Sequence, residues 1–298
     1  MARIISIILF LALSLQFAAA DELEPLLDSL LEGKQGCIIV ASLPDCHILA
    51  EVGDSQSLYG LHPPGSVFKL VAAMAALNED IATWKLEHIC DNSFEWSDTV
   101  YACCLGGGHG RLDLTGAIKN SCNYYFYCLV AKGLTVDILA EHALNWHFGE
   151  RPLHENDLPL CQLPDASADP FDVVIGQPPV AITVYHALAM ACGLANHGEM
   201  PNWSGGDARF LPYNSTDIEH LRDALRRGTI DKNNIEYAGK TGTPSVPDAT
   251  GSTHAWFIGW APFNRPEYAA VVFLQRGYGS RDAEPIAKEV LRALLEDN

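Results

Sequence analysis

A serine and a lysine that could act together lie in the stretch Pro63-Pro64-Gly65-Ser66-Val67-Phe68-Lys69. Because side chains three residues apart share one face of a helix, we expect the Lys69 amine to lie within hydrogen-bond reach of the Ser66 hydroxyl. A serine is a weak nucleophile at its ordinary pKa and needs an adjacent base to take its proton. The residues that follow are almost wholly apolar up to Leu77, which predicts a buried helix and a desolvated lysine with a lowered pKa. The stretch therefore predicts an activated serine nucleophile.

Two later motifs carry further groups that could take part in catalysis. Ser121-Cys122-Asn123 lies at a predicted helix boundary, and Lys240-Thr241-Gly242-Thr243 lies in a predicted strand. Hydroxyl, amide and ammonium groups are suited to proton transfer and to binding the amides and carboxylates of a substrate. The chain thus offers a nucleophile, a base and polar groups from three distant segments that the fold would have to bring together.

The elements that must position these motifs are strands at both ends of the chain and helices between them. Leucines at helical spacing predict a helix over 23–31, and a closing helix has its apolar face over 286–295. The predicted strands cover residues 36–41, 47–51, 237–243, 254–260 and 268–274. Because two strands alone are marginally stable, we expect both groups to form one sheet. The prediction is an α+β fold: an antiparallel sheet flanked by N- and C-terminal helices, with a large helical insertion and a cleft between the two parts.

The first residues predict export. Met1-Ala2-Arg3, the apolar run from Ile4 to Leu15 and Ala18-Ala19-Ala20 are arranged as in a secretory signal peptide, so residues 1–20 are predicted to be removed. A retained signal anchor is the alternative. No later apolar stretch approaches the roughly twenty residues of a membrane span, so we expect a periplasmic or secreted protein. A net charge of −18 argues against nucleic acid or an anionic membrane surface as partner.

Nine cysteines fit an exported chain, and their odd number predicts at least one free thiol or an intermolecular bond. We expect a disulfide that joins Cys90 to Cys103 or Cys104, because it would close a short loop. A zinc site formed by Cys90, Cys103, Cys104 and His109 is the alternative, although the spacing lacks a paired C-x-x-C. The prediction is therefore a disulfide, with no metal and no cofactor.

In chain order, Ser66-Val67-Phe68-Lys69, Ser121-Cys122-Asn123 and Lys240-Thr241-Gly242 resemble the three motifs of the penicillin-binding protein and serine β-lactamase superfamily. His109-Gly110 and Ile175-Gly176-Gln177 are similar to stretches in the transpeptidase domain of class B penicillin-binding proteins. The resemblance covers roughly residues 36–295. We expect neither the N-terminal pedestal domain of class B enzymes nor a glycosyltransferase domain. The family's usual Gly-Gln-Gly is Gly176-Gln177-Pro178 here.

The resemblance implies one transpeptidase-like domain over residues 21–298. Its sheet subdomain would cover about 21–62 and 235–298, and its helical subdomain about 63–234. The active cleft would lie between these two subdomains.

The resemblance also implies a role for each site residue. Ser66 would be acylated with Lys69 as proton acceptor, and Ser121 would relay a proton to the leaving amine, held by Lys240. Asn123 would orient Lys69 and the substrate amide. The backbone N–H groups of Ser66 and Thr243 would form an oxyanion hole. Thr241, Gly242 and Thr243 would bind the substrate, the two hydroxyls contacting its terminal carboxylate and the strand pairing with its peptide.

The implied activity is that of a D,D-transpeptidase that acts on peptidoglycan stem peptides and is inhibited covalently by β-lactams, with a glycosyltransferase as candidate partner. A D,D-carboxypeptidase or a class D-like β-lactamase is the first alternative, and it differs only in deacylation by water. Asn123 speaks against class D, whose second motif usually ends in valine. The second alternative is a non-catalytic sensor of wall peptides or β-lactams.

Overall fold

The computed structural model describes residues 23–151, 159–203, 207–230, 234–246 and 251–296. The predicted signal peptide lies outside these residues. Within them, none of the helices has both the length and the apolar composition that crossing a membrane requires.

A six-stranded antiparallel sheet, counted over the described residues, forms the centre of the fold. Its strands are β1 (Gly36–Ser42), β2 (His47–Gly53), β9 (Arg226–Thr229), β10 (Glu236–Gly242), β11 (Ala255–Ala261) and β12 (Tyr268–Leu274). They lie in the order β2-β1-β12-β11-β10-β9. Strand β1 pairs along its whole length with β12, from Gly36 opposite Leu274 to Ser42 opposite Tyr268. The predicted union of the N-terminal hairpin with the C-terminal strands is therefore confirmed.

Short strands and helices connect the two halves of the sheet. The small strands are β3 (His88–Cys90), β4 (Ser93–Trp96), β5 (Thr99–Ala102), β6 (Gly110–Leu112), β7 (Glu199–Met200) and β8 (Arg209–Phe210). The helices between the sheet halves are α2 (Ser55–Tyr59), α3 (Lys69–Asn78), α4 (Leu114–Lys119), α5 (Asn123–Ala131), α6 (Val136–Asn145), α7 (Pro170–Val174), α8 (Val184–Ala195) and α9 (Ser215–Ala224). Helix α1 covers residues 23–31, and α10 (Glu284–Glu296) closes the chain.

Both faces of the sheet are covered because successive side chains of a strand point to opposite sides. On β1, Ile39 packs toward the helical insertion, whereas Ile38 and Val40 pack toward α1 and α10. The alternation repeats on β11, where Trp256 faces the insertion and Phe257 faces the terminal helices. The result is a three-layer arrangement in which the central strands are buried on both sides.

The central sheet and the Ser66 helix each differ from the prediction in one detail. The edge strand β9 is additional, because Arg226-Arg227-Gly228-Thr229 has no alternation of apolar side chains to indicate a strand. The helix predicted to begin at Ser66 is divided: a 3-10 turn covers Gly65–Val67 and the α-helix proper begins at Lys69. Ser66 consequently lies in the tighter turn that leads into α3.

Candidate active site

Ser66 is partly exposed in a turn whose neighbouring residues are buried. The turn is closed by hydrogen bonds from Val67 N to Pro64 O (3.3 Å) and from Phe68 N to Gly65 O (2.9 Å). Upstream, Trp256 Nε1 donates to Pro63 O at 2.9 Å, which ties the turn to the sheet. A rigid turn with one accessible hydroxyl is suited to present a nucleophile.

Three glycines allow this turn to pack closely against its neighbours. Gly65 has φ +54°, and a Cβ added there would come within 2.8 Å of Pro244 and 3.1 Å of Thr243 N. Gly176 has φ +71°, its carbonyl accepts from Gly65 N at 2.9 Å, and a Cβ there would collide with Gly65 O. A Cβ on Gly242 would collide with Pro64 O. The end of β10 and the Gly176 loop are therefore in backbone contact with the Ser66 turn.

Lys69, at the start of α3, has no exposed surface. Its Nζ donates to Ser121 O at 2.7 Å and to Asn123 Oδ1 at 2.5 Å, and it lies 5.4 Å from the centroid of the Phe126 ring. Burial lowers the pKa of Lys69 to about 8, an effect opposed by the nearby thiols of Cys104, Cys122 and Cys103. Among the described residues no hydrogen bond joins Lys69 to Ser66, so its predicted contact with the nucleophile is replaced by contacts with the second motif.

The second motif lies in the short connection between α4 and α5. Ser121 has φ +57°, a left-handed conformation that non-glycine residues rarely adopt. Cys122 N donates to Ala117 O at 2.9 Å, and Asn123 begins α5. This geometry lets Ser121 offer its carbonyl to Lys69 and its hydroxyl to Lys240. Strained backbone of this kind persists where the surroundings determine it.

Lys240 brings the third motif to the same point. Its side chain is 2% exposed, and Nζ donates to Ser121 Oγ and to Thr241 O, both at 2.9 Å. Burial lowers the pKa of Lys240 well below its ordinary value, and the positive charges of Lys69 and Arg227 lower it further. Thr243 Oγ1 accepts from Gly279 N at 3.0 Å, so the hydroxyl proton of Thr243 can still be donated to a ligand.

All the residues singled out in the three motifs thus meet at the contact between the sheet and the helical insertion. A family model of the penicillin-binding protein transpeptidase domain matches residues 55–296, which is most of the chain. The chain belongs to this family. The match contains all three motifs, as the resemblance of their sequences predicts.

The relatives of this penicillin-binding protein transpeptidase domain include the peptidoglycan D,D-transpeptidase MrdA of Acinetobacter baumannii. The two are 26% identical over 296 residues, which cover 79% of this chain and 43% of that protein. The chain thus spans about half the length of the curated relatives it matches.

Solved structures show the same fold. PBP2 of Helicobacter pylori in complex with MreC has a TM-score of 0.81 at 21% identity, covering 92% of this chain and 62% of that one. Penicillin-binding protein A of Mycobacterium tuberculosis, solved as a ceftriaxone acyl-enzyme, has a TM-score of 0.76 at 21% identity, covering 91% and 77%. The predicted α+β architecture is confirmed by these similarities.

Four side chains that could ligate a metal ion converge behind Ser121. The ligand atoms of Cys90, Cys103, His109 and Cys122 all lie within 4.8 Å of one another. Cys103 Sγ lies 3.8 Å from Cys122 Sγ and 3.4 Å from His109 Nδ1, and Cys90 Sγ lies 3.6 Å from His109 Nδ1. Tetrahedral zinc with Zn–S bonds of ~2.3 Å places two sulfur ligands ~3.8 Å apart. The four residues, which we call the Cys3His cluster, therefore fit a closed structural zinc site.

The cluster corrects two expectations about the cysteines. All nine cysteines lie in the described residues and are free, so the predicted disulfide from Cys90 to Cys103 or Cys104 is not formed. The alternative zinc site contains Cys122 in place of Cys104, because Cys122 is one of the four residues whose ligand atoms converge, whereas the Cys104 thiol donates to Ser121 O at 3.3 Å. The neighbouring thiols of Cys104 and Cys122 hold the pKa of the Cys103 thiol below its ordinary value, which favours the thiolate that a metal binds.

Sequence reasoning missed Cys122 as a ligand because it stands inside the second motif, between Ser121 and Asn123. The usable signal was its position thirteen residues after His109, the same separation as that from Cys90 to Cys103. Reasoning from motifs also missed Glu284 and Arg227, which lie near Lys240 but carry no recognisable pattern of their own.

Proposed function

We propose that this chain is a penicillin-sensitive serine D,D-transpeptidase that acts on peptidoglycan stem peptides through an acyl-Ser66 intermediate. One observation carries the proposal: Lys69 bonds to Ser121 O and Asn123 Oδ1 while Lys240 bonds to Ser121 Oγ, so the three motifs form one hydrogen-bonded group beside Ser66. The name of the Acinetobacter relative and the acyl-enzyme of the Mycobacterium protein support it.

In the first half of the reaction, Ser66 Oγ attacks the carbonyl of the terminal peptide bond of the stem peptide. Lys69 accepts the hydroxyl proton, which it can do because burial keeps a fraction of this amine neutral. The C–N bond then breaks, Ser121 passes its hydroxyl proton to the departing D-alanine amine, and Lys240 gives Ser121 a proton in its place. Lys240 holds the Ser121 hydroxyl in place at 2.9 Å.

The substrate would lie along the free edge of β10. Strand β9 pairs with Glu236 and Ala238 of β10, whereas Gly242 lies against Pro64 of the Ser66 turn. A peptide added at that edge would place its scissile carbonyl between the backbone N–H groups of Ser66 and Thr243. The hydroxyls of Thr241 and Thr243 would bind its terminal carboxylate.

The second half of the reaction distinguishes transfer from hydrolysis. An amine of a second stem peptide attacks the ester carbonyl of acyl-Ser66 and forms a new peptide bond as the ester C–O bond breaks. The amine proton passes through Ser121 to Lys240, and Lys69 returns a proton to Ser66 Oγ. A D,D-carboxypeptidase or a β-lactamase would use water instead, and a sensor domain would bind its peptide without acylation.

Intact mass spectrometry of the full chain after exposure to benzylpenicillin tests the proposal. We expect one penicilloyl adduct in the wild type and none in Ser66→Ala. Ser93→Ala, an exposed serine on β4, is the matched control and should keep the adduct. A folded wild-type chain without an adduct at saturating drug would refute the proposal.

The products then decide between the activities. A pentapeptide donor with an amine acceptor should give a crosslinked dimer and free D-alanine. Without the acceptor, D-alanine should be released more slowly. Equal release of D-alanine with and without the acceptor would identify a carboxypeptidase, and rapid turnover of nitrocefin would identify a β-lactamase.

Location and partners follow from this chemistry. Peptidoglycan crosslinks form outside the cytoplasm, which agrees with the predicted signal peptide and with a periplasmic or secreted protein. Since crosslinking requires glycan strands as substrate, a glycosyltransferase that makes them is the partner we propose.

A further inference from the structure

A cavity of about 580 Å³ lies next to Lys240 and is lined by residues of four separate segments. Its volume is in the range of small-molecule binding sites. We call it the Lys119 cavity; its lining is Ile118, Lys119, Asn120, Ala224, Leu225, Arg226, Arg227, Gly228, Tyr237, Gly239, Lys240 and Glu284. Lys240 and Asn120 connect it directly to the catalytic group, because Lys240 bonds to Ser121, the residue after Asn120.

The lining of the Lys119 cavity is basic, although the chain as a whole carries a net charge of −18. Four lysine and arginine side chains line it, against the one carboxylate of Glu284. That carboxylate is already engaged, since it accepts from Tyr237 Oη and Arg227 Nη2, both at 2.8 Å. Glu284 therefore fixes Arg227 and does not neutralise Lys119, the cation at the end of α4.

Lys119 and Arg226 are the cations best placed to contact that ligand. Lys119 is exposed at the end of α4 and has no side-chain partner among the described residues. Arg226 donates to Glu236 at 2.9 Å and to Asp223 at 3.4 Å, and still has 37% of its side chain exposed. Ammonium and guanidinium groups that line a concave site bind carboxylates through charge-assisted hydrogen bonds.

We propose that the Lys119 cavity binds a carboxylate of the acceptor stem peptide, the second substrate of the transfer reaction. This assignment rests on the proposed function, because only transfer needs a second peptide. The acceptor amine must lose a proton as it attacks acyl-Ser66, and Ser121 with Lys240 can receive it. The cavity shares Lys240 with the catalytic group, so a peptide held there by its carboxylate would lie beside that proton acceptor.

An acceptor carboxylate in the cavity would also act on Lys240. The nearby cations Lys69 and Arg227 lower the pKa of Lys240, and Glu284 opposes them. A second carboxylate would act in the same direction as Glu284 and raise the affinity of a neutral Lys240 for a proton. Acceptor binding would thereby favour the movement of the amine proton through Ser121 to Lys240 in the transfer step.

Binding to the full chain carrying Ser66→Ala tests the assignment without turnover. The probe is the tripeptide L-alanyl-γ-D-glutamyl-diaminopimelate, compared with an analogue whose carboxylates are amidated. Isothermal titration calorimetry should show about tenfold weaker binding when Lys119→Gln or Arg226→Gln is added. Lys132→Gln removes an equal charge from an exposed position outside the cavity and should leave binding unchanged within about twofold. Circular dichroism melts confirm that each variant is folded.

Equal affinity of all variants for the tripeptide would overturn the assignment. It would also be overturned if Lys119→Gln and Arg226→Gln weakened binding of the amidated analogue as much as binding of the tripeptide, because both results exclude a carboxylate contact. The penicillin adduct of the wild type reports separately on the proposed function. Binding that depends on Lys119, together with an adduct, supports the acceptor site. The same binding without any adduct would refute the transfer reaction and the acceptor role with it, while it would locate the peptide in the cavity.

Discussion

Lys69 has the burial and the contacts that a catalytic base would need. It is completely buried, yet its ammonium has two oxygen partners, Ser121 O and Asn123 Oδ1. Burial disfavours the charged form and the nearby thiols of Cys104, Cys122 and Cys103 oppose that effect, but burial dominates and lowers the pKa to about 8. The residue is therefore a base whose neutral form is accessible near physiological pH.

The rate of Ser66 acylation should follow the neutral fraction of Lys69. Because the pKa is lowered to about 8, the amine is mostly charged below that pH and mostly neutral above it. The second-order rate constant for benzylpenicillin should rise by about tenfold per pH unit below pH 8 and level off above it. Stopped-flow or quenched mass spectrometry between pH 6 and 10 measures this profile.

Other titratable groups face Lys69, namely Lys240 on β10 and the thiols of Cys103, Cys104 and Cys122. The Lys69→Arg variant separates their effects from that of the base, because a guanidinium stays charged throughout this range. It should lose acylation at every pH. A flat wild-type profile from pH 6.5 to 9, or full activity of Lys69→Arg, would contradict the assignment of Lys69 as base.

At the scale of elements, the site depends on how closely the Ser66 turn approaches the Gly176 loop and the end of β10. Gly65 and Gly176 both have positive φ, and the Gly65 N–H bonds to Gly176 O at 2.9 Å. Since backbone lies against backbone there, no side chain fits between them. These contacts hold the nucleophile against the strand that would bind the substrate.

Gly176→Ala should therefore cost both stability and acylation. Gly33 is a matched control with φ +72° and no atom within 4 Å of an added Cβ, whereas a Cβ on Gly176 would meet Gly65 O. Gly33→Ala should lose about 1 kcal/mol from backbone strain alone and keep its acylation rate. Gly176→Ala should lose more, about 2–4 kcal/mol, and acylate at least about tenfold more slowly. Equal effects of the two substitutions in urea unfolding and penicillin assays would show that the contact with Gly65 is unimportant.

The Cys3His cluster makes a second prediction at the scale of elements. It joins β3, the loop that contains Cys103 and His109, and Cys122 of the second motif, so a bound ion would fix the connection that carries Ser121. Purified full chain should contain about one zinc per molecule by inductively coupled plasma mass spectrometry. Removing the zinc with a chelator should lower the melting temperature and the acylation rate.

Two cysteine variants provide the comparison. Cys103→Ser should lose the zinc, whereas Cys161→Ser, a thiol outside the cluster, should retain it. Zinc content that is the same in both variants, or absent from the wild type, would rule out the site.

The site residues that stand in short sequence motifs were predictable. The contacts between residues that are distant in the sequence were not. Ser66, Lys69, Ser121 and Lys240 were recognisable because each stands in a motif with fixed spacing. Their partners are different: Lys69 contacts Ser121 rather than Ser66 because the tertiary fold brings residues 52 positions apart together. The Cys3His cluster likewise combines three segments, and local spacing suggested Cys104 where the fold supplies Cys122.

At the scale of the whole molecule, the strands of the sheet were also predictable only where their own residues indicate a strand. Strands β1, β11 and β12 were predictable because their β-branched and aromatic runs are unambiguous, whereas β9 carries two arginines and depends on pairing with β10. The central strands are shared by two cores, one against the helical insertion and the other against α1 and α10. Neither core can lose its packing without exposing the sheet that supports the other.

The two cores should therefore unfold in one cooperative transition. Leu188→Ala on α8 and Leu291→Ala on α10 remove fully buried side chains from opposite sides of the sheet, and each should cost about 2–5 kcal/mol. Both should lower the urea midpoint with an unchanged slope, whether followed by tryptophan fluorescence or by loss of penicillin acylation. Leu144→Ala, a side chain that is 51% exposed, is the control and should change little.

The acylation assay makes this test specific to the architecture. Ser66 lies on the side of the insertion, so a terminal helix that merely covered the sheet could be weakened without any effect on the active site. If β1, β11 and β12 couple the two cores, Leu291→Ala must lower the urea midpoint by the same amount whether it is measured by acylation or by tryptophan fluorescence. Two separate transitions, or acylation that survives while the outer core unfolds, would instead mean that the insertion folds independently of α10.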